Sequence, residues 1–143
     1  MEIINRKARF NYSILEEIEC GIELYGTEIK SIRKGNANLN DSYARIKDRE
    51  VYLINVFIGK YEEGNIFNHE ERRERKLLLH KREIINLESE IEKKGLTLIP
   101  LKLYLNNRGK AKILLGVCKG KKLFDKRETI KKRDLERSKK FYD

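Results

Sequence analysis

The chain has 143 residues, of which 39% are charged, and it carries a formal net charge of +10. This length suits one domain, no apolar run approaches the roughly 20 residues that span a bilayer, and the first residues lack the pattern of a secretory signal. Two cysteines, Cys20 and Cys118, are too few for a disulfide scaffold. The composition therefore excludes membrane-spanning and disulfide-rich classes, and it predicts a basic cytoplasmic protein with reduced, buried thiols.

The first third of the chain predicts a strand followed by a short helix. Even positions over Phe10–Leu24 are apolar except for Glu16, and this period of two indicates a half-buried strand with a bend or bulge at Gly21. Glu16, which interrupts the apolar side, fits a structural ion pair or a bulge. A helix is predicted from Gly26, with Thr27 as its cap and a stop at Gly35 and Asn36.

The remainder of the body predicts strands, a helix and a closing hairpin. The strand candidates are Tyr43–Lys47, Val51–Ile58, Leu96–Leu105 and Lys110–Cys118. Pro100 indicates an edge or a bulge in its strand. The polar stretch 65–76 reads as a surface loop, and helical spacing of apolar residues predicts a helix over 81–94 that stops at Gly95. The expected fold is mainly β (α+β), a small antiparallel barrel of the oligonucleotide-binding sort with two or three flanking short helices.

The last 25 residues form a basic segment with little to bury. Residues 119–143 hold eleven Lys or Arg and five Asp or Glu, so they carry six of the ten net positive charges. We therefore predict two parts, a barrel domain over 1–118 and a tail over 119–143 that is disordered when free. Asp125 and Glu128 have the spacing of a capping box, so the tail can become helical on a partner. Nucleic acid is the expected partner, because binding to it releases condensed counterions.

Three further basic clusters precede the tail. They are Arg6, Lys7 and Arg9, then Lys30, Arg33 and Lys34, then Arg72, Arg73, Arg75 and Lys76. Four separated positive segments, with the tail, suit a curved phosphate backbone. The competing interpretation is that these charges face solvent and bind nothing.

The sequence offers no convincing catalytic constellation. Only two histidines are present, His69 and His80, and they would have to serve as the acid and the base of a small nuclease. The interpretation without chemistry is favoured, and no cysteine pair has metal-ligand spacing. We therefore expect no enzyme activity, no metal and no cofactor.

Six motifs in order resemble one family. They are Asn5-Arg-Lys-Ala-Arg9, Gly26-Thr-Glu-Ile-Lys-Ser-Ile-Arg33, Asp41-Ser-Tyr43, Arg75-Lys-Leu-Leu-Leu-His80, Gly95-Leu-Thr-Leu-Ile-Pro-Leu-Lys-Leu-Tyr104 and Gly120-Lys-Lys-Leu-Phe-Asp-Lys-Arg127. Together they closely resemble the SmpB family of bacterial SsrA-binding proteins, over nearly the whole chain.

That resemblance implies an RNA-binding adaptor. Such a protein binds the tRNA-like domain of transfer-messenger RNA (tmRNA), as a monomer in a 1:1 complex, and delivers it to stalled ribosomes for trans-translation. The barrel replaces part of the missing anticodon arm. The tail enters the empty message channel near the decoding centre of the small subunit and becomes helical there. The resemblance implies no catalysis by the protein and no membrane partner.

The resemblance also implies site residues. Asn5, Glu19 and Leu78 match family positions that hold the RNA, and charge and position add Lys7, Arg9, Lys30 and Arg33 as phosphate contacts. The tail residues that match the motif for accommodation and tagging are Lys121, Lys122, Phe124, Asp125, Lys126 and Arg127. Two positions depart from many relatives, which carry histidine at Phe124 and proline at Glu71. The alternative that stays open is a generic ribosome-associated RNA-binding barrel whose tail supplies only electrostatic grip.

Overall fold

The structure is a computed structural model that describes residues 1–63 and 68–120, and more of these residues lie in strands than in helices. The strands within these ranges are β1 (Glu2–Ile4), β2 (Tyr12–Ile22), β3 (Ala37–Asn38), β4 (Tyr43–Lys47), β5 (Glu50–Ile54), β6 (Phe57–Ile58), β7 (Arg75–Leu78), β8 (Thr97–Leu105) and β9 (Ala111–Gly120). The helices there are α1 (Ala8–Asn11), α2 (Gly26–Arg33) and α3 (Lys81–Lys94).

Six of these strands close into a ring. Their order is β8, β4, β5, β7, β2 and β9, and the ring closes because β8 pairs with β4 on one side and β9 on the other. All the pairings are antiparallel. Strand β1 adds to β8, and β3 pairs with β6 in a separate two-stranded sheet. The predicted mainly β fold, an antiparallel barrel with short flanking helices, is confirmed.

The ring separates two apolar cores. The larger core fills the barrel and receives Ile84 and Leu87 from α3, which packs against it. The smaller core lies on the outer face of β8 and β9, where Ala8 of α1 packs with Ile99, Leu101 and Cys118.

The two cysteines occupy different cores. Cys20 belongs to the barrel interior, whereas Cys118 belongs to the outer core. Both thiols are free and buried. Burial raises the pKa of Cys20 to about 12 and that of Cys118 to about 11, so both stay protonated near neutral pH.

The bulge in β2 lies near its start, and the prediction at Gly21 was wrong. The register shifts between Ile14 and Glu16, whereas Gly21 pairs regularly with Leu78 and Lys112. Because β2 has one extra residue at this bulge, even-numbered positions face outward before it and into the barrel after it. Ile14 therefore packs in the outer core, while later even positions of the strand pack in the barrel. Glu16 is exposed directly after this register shift and forms no ion pair with another described residue, so of the two predicted explanations the bulge is the one observed.

A second bulge in β8 confirms the interpretation of Pro100. The register with β9 shifts between Pro100 and Lys102. Leu98 and Leu103, on either side of the shift, both point into the barrel, and Leu101 between them reaches the outer core. One strand thereby supplies both cores.

Helices α2 and α3 follow the predicted spans closely, but one predicted cap was wrong. Tyr25 is the N-cap of α2, and its backbone N–H donates to Glu28 Oε1 at 2.7 Å. Thr27, the predicted cap, instead bonds a ring nitrogen of His69 at 2.9 Å. Helix α3 has the predicted bounds and ends at Gly95, whose φ of 63° is the left-handed conformation that glycine adopts without strain.

Several strand ends differ from the sequence prediction. The residues before Tyr12 form α1 and do not continue the strand. The predicted strand Val51–Ile58 breaks at Asn55, whose φ is 66°, so its last residues form β6. The predicted loop 65–76 ends early, because Arg75 and Lys76 belong to β7. Strand β9 runs two residues past its predicted end.

Candidate nucleic-acid interface

Glu19 and Leu78 lie together on the outer face of the barrel. Glu19 points outward from β2, two residues before Gly21, which pairs with Leu78 of β7. Leu78 is 47% exposed and packs over Gly21, where an added Cβ would meet its side chain at 3.3 Å. The absence of a side chain at Gly21 therefore lets the apolar Leu78 lie beside the exposed carboxylate.

Three neighbouring side chains complete an outer patch with these two. Lys112 of β9 pairs with Gly21, and Tyr104 of β8 pairs with Lys112. The Tyr104 hydroxyl donates a hydrogen bond to Glu19 Oε2, and Lys102 Nζ lies 5.5 Å from the centre of the Tyr104 ring. We call this set, namely Glu19, Leu78, Lys102, Tyr104 and Lys112, the outer patch. Sequence reasoning assigned no role to its last three members, although their alternation with apolar positions marks them as outward-facing.

Basic residues of α2 and Lys34, just after its end, form a second surface. Lys30 and Lys34 both lie over the ring of Tyr61, with Nζ at 5.4 and 4.9 Å from its centre. Arg33 is exposed and extends toward the turn between β8 and β9, where a Cβ added at Gly109 would lie 3.7 Å from its Nη2. The same turn begins just beyond Tyr104, so the outer patch and the basic face of α2 adjoin through it.

The two cations around α1 are also exposed. Lys7 precedes the helix, and its exposed side chain forms no hydrogen bond or ion pair with another described residue. Arg9 Nη2 forms an ion pair with Glu17 Oε2 at 2.9 Å on the surface, where such pairs contribute little. Both cations therefore remain accessible to phosphate.

Asn5 has a structural position, apart from the outer patch. Its side chain is 7% exposed, and Nδ2 donates to the carbonyl oxygens of Pro100 at 2.9 Å and Leu39 at 3.4 Å. Its backbone N–H donates to Leu101 O at 2.9 Å. Asn5 thus fixes the segment that leads into α1 against the bulge of β8.

The third basic cluster is largely neutralised inside the protein. Arg75 and Glu28 are both fully buried, and Arg75 Nε donates to Glu28 Oε2 at 2.7 Å. Arg73 Nη2 donates to Glu28 Oε1 at 2.8 Å, and Lys76 pairs with Glu50. The placement of this whole cluster in a surface loop facing phosphate was wrong for Arg75, which is buried. The alternation of strand residues could have revealed that Arg75 is buried, since Arg75 and Leu77 are two positions apart and face the same, inward side of β7.

Opposing influences set the pKa of Glu28. Burial alone would raise it, but hydrogen bonds from Arg73, from the Tyr25 backbone and from Arg75, with the charge of Arg75, hold it below its usual value. Glu28 is therefore a carboxylate at neutral pH, and Glu28, Arg73 and Arg75 form a charged triad that joins α2 to β7 and the segment before it.

The histidines do not form a catalytic pair. His69 is 3% exposed, and its Nε2 lies 2.8 Å from Ile58 O. Since a carbonyl only accepts, Nε2 carries the proton and Nδ1 accepts from the Thr27 hydroxyl. His80 is exposed at the start of α3. Both nitrogens of His69 are thus engaged in the protein.

The described ranges show neither a metal cluster nor a membrane-spanning helix. Residues 1–63 and 68–120 contain no group of His, Cys, Asp and Glu that could hold a metal. None of the helices in those ranges has the length and apolar character of a membrane-spanning segment. The predicted disorder of the free tail concerns residues that lie almost wholly outside the described ranges. The same holds for all the predicted tail site residues, which are Lys121, Lys122, Phe124, Asp125, Lys126 and Arg127.

Comparisons with known proteins agree with the motifs. The family model described as "SmpB protein" matches residues 2–141. The SsrA-binding protein of Ligilactobacillus salivarius is 58% identical over 133 residues, which are 93% of this chain and 85% of that protein. The SsrA-binding protein of Bradyrhizobium diazoefficiens is 59% identical over 135 residues, covering 94% of this chain and 86% of that protein.

Solved structures give the same answer. One chain, from a study described as "tmRNA-SmpB: a journey to the center of the bacterial ribosome", is 53% identical to this one. The match covers 85% of each chain with a TM-score of 0.71. The motifs, the barrel and the extent of these matches agree, and the chain belongs to the SmpB family of SsrA-binding proteins.

Proposed function

We propose that this protein is an RNA-binding adaptor that binds the tRNA-like domain of tmRNA and delivers it to stalled ribosomes for trans-translation. The observation that carries the proposal is the family match over residues 2–141, with SsrA-binding relatives and a structural neighbour described as tmRNA-SmpB. The proposal includes a monomer in a 1:1 complex with the RNA, a cytoplasmic location and no catalysis by the protein itself.

The exposed surfaces support this role chemically. Lys7, Arg9, Lys30 and Arg33 are exposed cations that suit phosphate contacts, which fix an RNA in register but carry no sequence information. Glu19 cannot approach phosphate favourably, because an ionised carboxylate only accepts hydrogen bonds. Its partners in RNA are therefore donors such as a ribose 2′-hydroxyl or a base amino group.

The remaining two candidate positions act differently. Leu78, half-exposed beside Glu19, suits apolar contact with a ribose or a base. Asn5 holds the start of α1 in place through the carbonyls of Leu39 and Pro100. We therefore assign Asn5 an indirect role, in which it orients the cations of α1 for the RNA.

The division of labour between body and tail forms part of the proposal. The body, 1–118, carries RNA recognition, and the tail, 119–143, acts on the ribosome at the message channel and decoding centre. The tail residues assigned to that step are Lys121, Lys122, Phe124, Asp125, Lys126 and Arg127. An aromatic side chain at Phe124 can stack on a ribosomal base, although it has no titratable charge.

A competition experiment tests the proposal. The full chain and a 1–120 fragment, which keeps all of β9, are bound to the tRNA-like domain across a salt series with ordinary tRNA as competitor. Both proteins should prefer the tRNA-like domain, and removing the tail should change mainly the salt dependence. Absence of preference in both proteins would refute the adaptor and favour the generic RNA-binding barrel.

The nuclease alternative has a separate test. It requires His69 and His80 as acid and base, yet both ring nitrogens of His69 are hydrogen-bonded within the protein. Long incubation of the RNA with the protein should leave the RNA intact. Cleavage that disappears in His80→Ala would restore this alternative.

A further inference from the structure

We propose that Tyr104 is a positioning residue that fixes the Glu19 carboxylate to accept a hydrogen bond from an RNA donor. The inference rests on the proposed function, because it assumes that the outer patch contacts RNA. Glu19 does not act alone, because the group that meets the RNA is a pair formed by Glu19 of β2 and Tyr104 of β8, whose side chain crosses the intervening strand β9.

The register of the barrel creates this pair. Glu19 of β2 pairs with Leu114 of β9, and Tyr104 of β8 pairs with Lys112, two residues earlier on β9. The Tyr104 side chain crosses the outer face of β9 between them, and its hydroxyl donates to Glu19 Oε2. Since a phenol donates and an ionised carboxylate accepts, the bond fixes Oε2 and leaves Oε1 available.

Tyr104 is itself held from its other side. Lys102 Nζ lies 5.5 Å from the ring centre and also bonds Glu2 Oε2 at 3.2 Å. Glu2 of β1 pairs with Tyr104 in the sheet, so three charged or aromatic side chains brace one another on adjacent strands. Tyr104 can therefore serve as a rigid support for an otherwise exposed glutamate.

Rigidity matters because Glu19 is a flexible side chain at the surface. A free glutamate loses rotamer freedom when a ligand fixes it, and this loss opposes binding. The bond from Tyr104 removes much of that freedom before the RNA arrives. Lys102 and Lys112, on either side, attract phosphate, so the fixed acceptor meets an RNA that is already oriented.

A double-mutant cycle tests the inference. Affinities for the tRNA-like domain are measured for the wild-type chain, Tyr104→Phe, Glu19→Ala and the double variant. Tyr52→Phe is the matched control, because it removes a phenol hydroxyl from the outer face of β5, two strands away from Glu19 in the sheet. Tyr104→Phe keeps the ring and removes only the hydroxyl.

The expected results are specific. Tyr104→Phe should weaken binding by about three- to tenfold, the effect of one hydrogen bond, and Glu19→Ala should weaken it more. In the Glu19→Ala background, Tyr104→Phe should have no further effect, since the acceptor it orients is gone. The salt slope should be unchanged in both single variants, whereas Lys112→Ala should lower it by about one. The melting temperature of Tyr104→Phe should match that of Tyr52→Phe.

Two outcomes would overturn the inference. Wild-type affinity in Tyr104→Phe, or independent and additive effects of the two substitutions, would show that Tyr104 does not position Glu19. A purely structural role would lower the melting temperature without coupling to Glu19. If the wild-type chain itself shows no preference for the tRNA-like domain, the proposed function fails, and this failure is visible before any variant is compared.

Discussion

The buried guanidinium of Arg75 gives a sharp prediction about the barrel. Its Nε donates to Glu28 Oε2 at 2.7 Å, and Nη1 donates to Val56 O at 2.8 Å. Nη2 donates to the carbonyl oxygens of Glu70 at 3.4 Å and Glu71 at 3.1 Å. One side chain thus joins α2, the loop before β6 and the segment before β7. The substitution Arg75→Met keeps much of the volume and removes every one of these donors.

The size of the effect follows from burial. Both Arg75 and Glu28 have 0% exposure, so loss of the arginine leaves a buried carboxylate with fewer partners. Breaking a buried ion pair by removing one partner costs about 3–5 kcal/mol. A domain of this size has a total stability of roughly 5–15 kcal/mol, so Arg75→Met should remove a large fraction of it. Arg73, which donates to Glu28 at 2.8 Å, should keep the loss within that range.

Urea unfolding followed by circular dichroism measures the loss. With a slope of about 2 kcal/mol/M, Arg75→Met should lower the midpoint by roughly 2 M. Arg45→Met is the control, since Arg45 pairs with Glu74 at 3.5 Å while 54% exposed and should cost at most about 1 kcal/mol. Equal midpoints for the two variants would refute the argument that burial makes the Glu28 triad structurally essential.

Three further predictions concern titration, thiols and a helix end. The folded pKa of Glu28 lies below its unfolded value near 4.5, so its ionised carboxylate stabilises the fold fully above pH 4.5, and this contribution is lost as pH falls through the folded pKa. The difference in unfolding free energy between wild type and Glu28→Gln should therefore narrow below pH 4.5. A difference that widens there would contradict a lowered pKa for Glu28. Cys20 and Cys118, with pKa values raised to about 12 and 11, should not react with a disulfide reagent at pH 8 until urea unfolds the chain, and rapid native labelling would contradict their burial. Gly95→Ala should lower stability by about 1 kcal/mol in thermal unfolding, since its φ is 63°, and an unchanged melting temperature would count against a left-handed cap.

Sequence patterns predicted the elements whose own residues determine them. Helix α3 was predicted with its observed bounds, because its apolar spacing and Gly95 are local signals. The hairpin of β8 and β9 and the bulge at Pro100 were likewise readable, since proline removes a ladder hydrogen bond. Local signals also predicted a mainly β barrel.

Features that depend on distant partners were missed or misplaced. The apolar period of β2 continues through its bulge, so the sequence alone does not reveal that Ile14 serves the outer core. Arg75 was grouped with surface cations, because its buried partner Glu28 lies 47 positions earlier in the chain. Tyr104 was noticed only as part of a motif, since its contact with Glu19 depends on the order of strands around the ring.

In the candidate site, too, residues identified by local signals were predicted, whereas contacts between distant residues were not. Charge identified Lys30 and Arg33 as exposed cations, and both lie on the accessible face of α2. Glu19 and Leu78 are 59 positions apart, and only the pairing of β2 with β7 brings them to one patch. Asn5 was expected to hold RNA, yet its amide donates to protein carbonyls, so its role in binding stays an indirect one in our proposal.

Tagging of the nascent chain tests the central claim most directly. A reconstituted translation of a message without a stop codon, supplied with tmRNA, is run with the full chain, with the 1–120 fragment and without either. The account predicts a tagged product only with the full chain, although the fragment still binds the tRNA-like domain. Tagging without this protein would contradict the adaptor role, and full tagging with the fragment would contradict the assignment of the ribosomal step to residues 119–143.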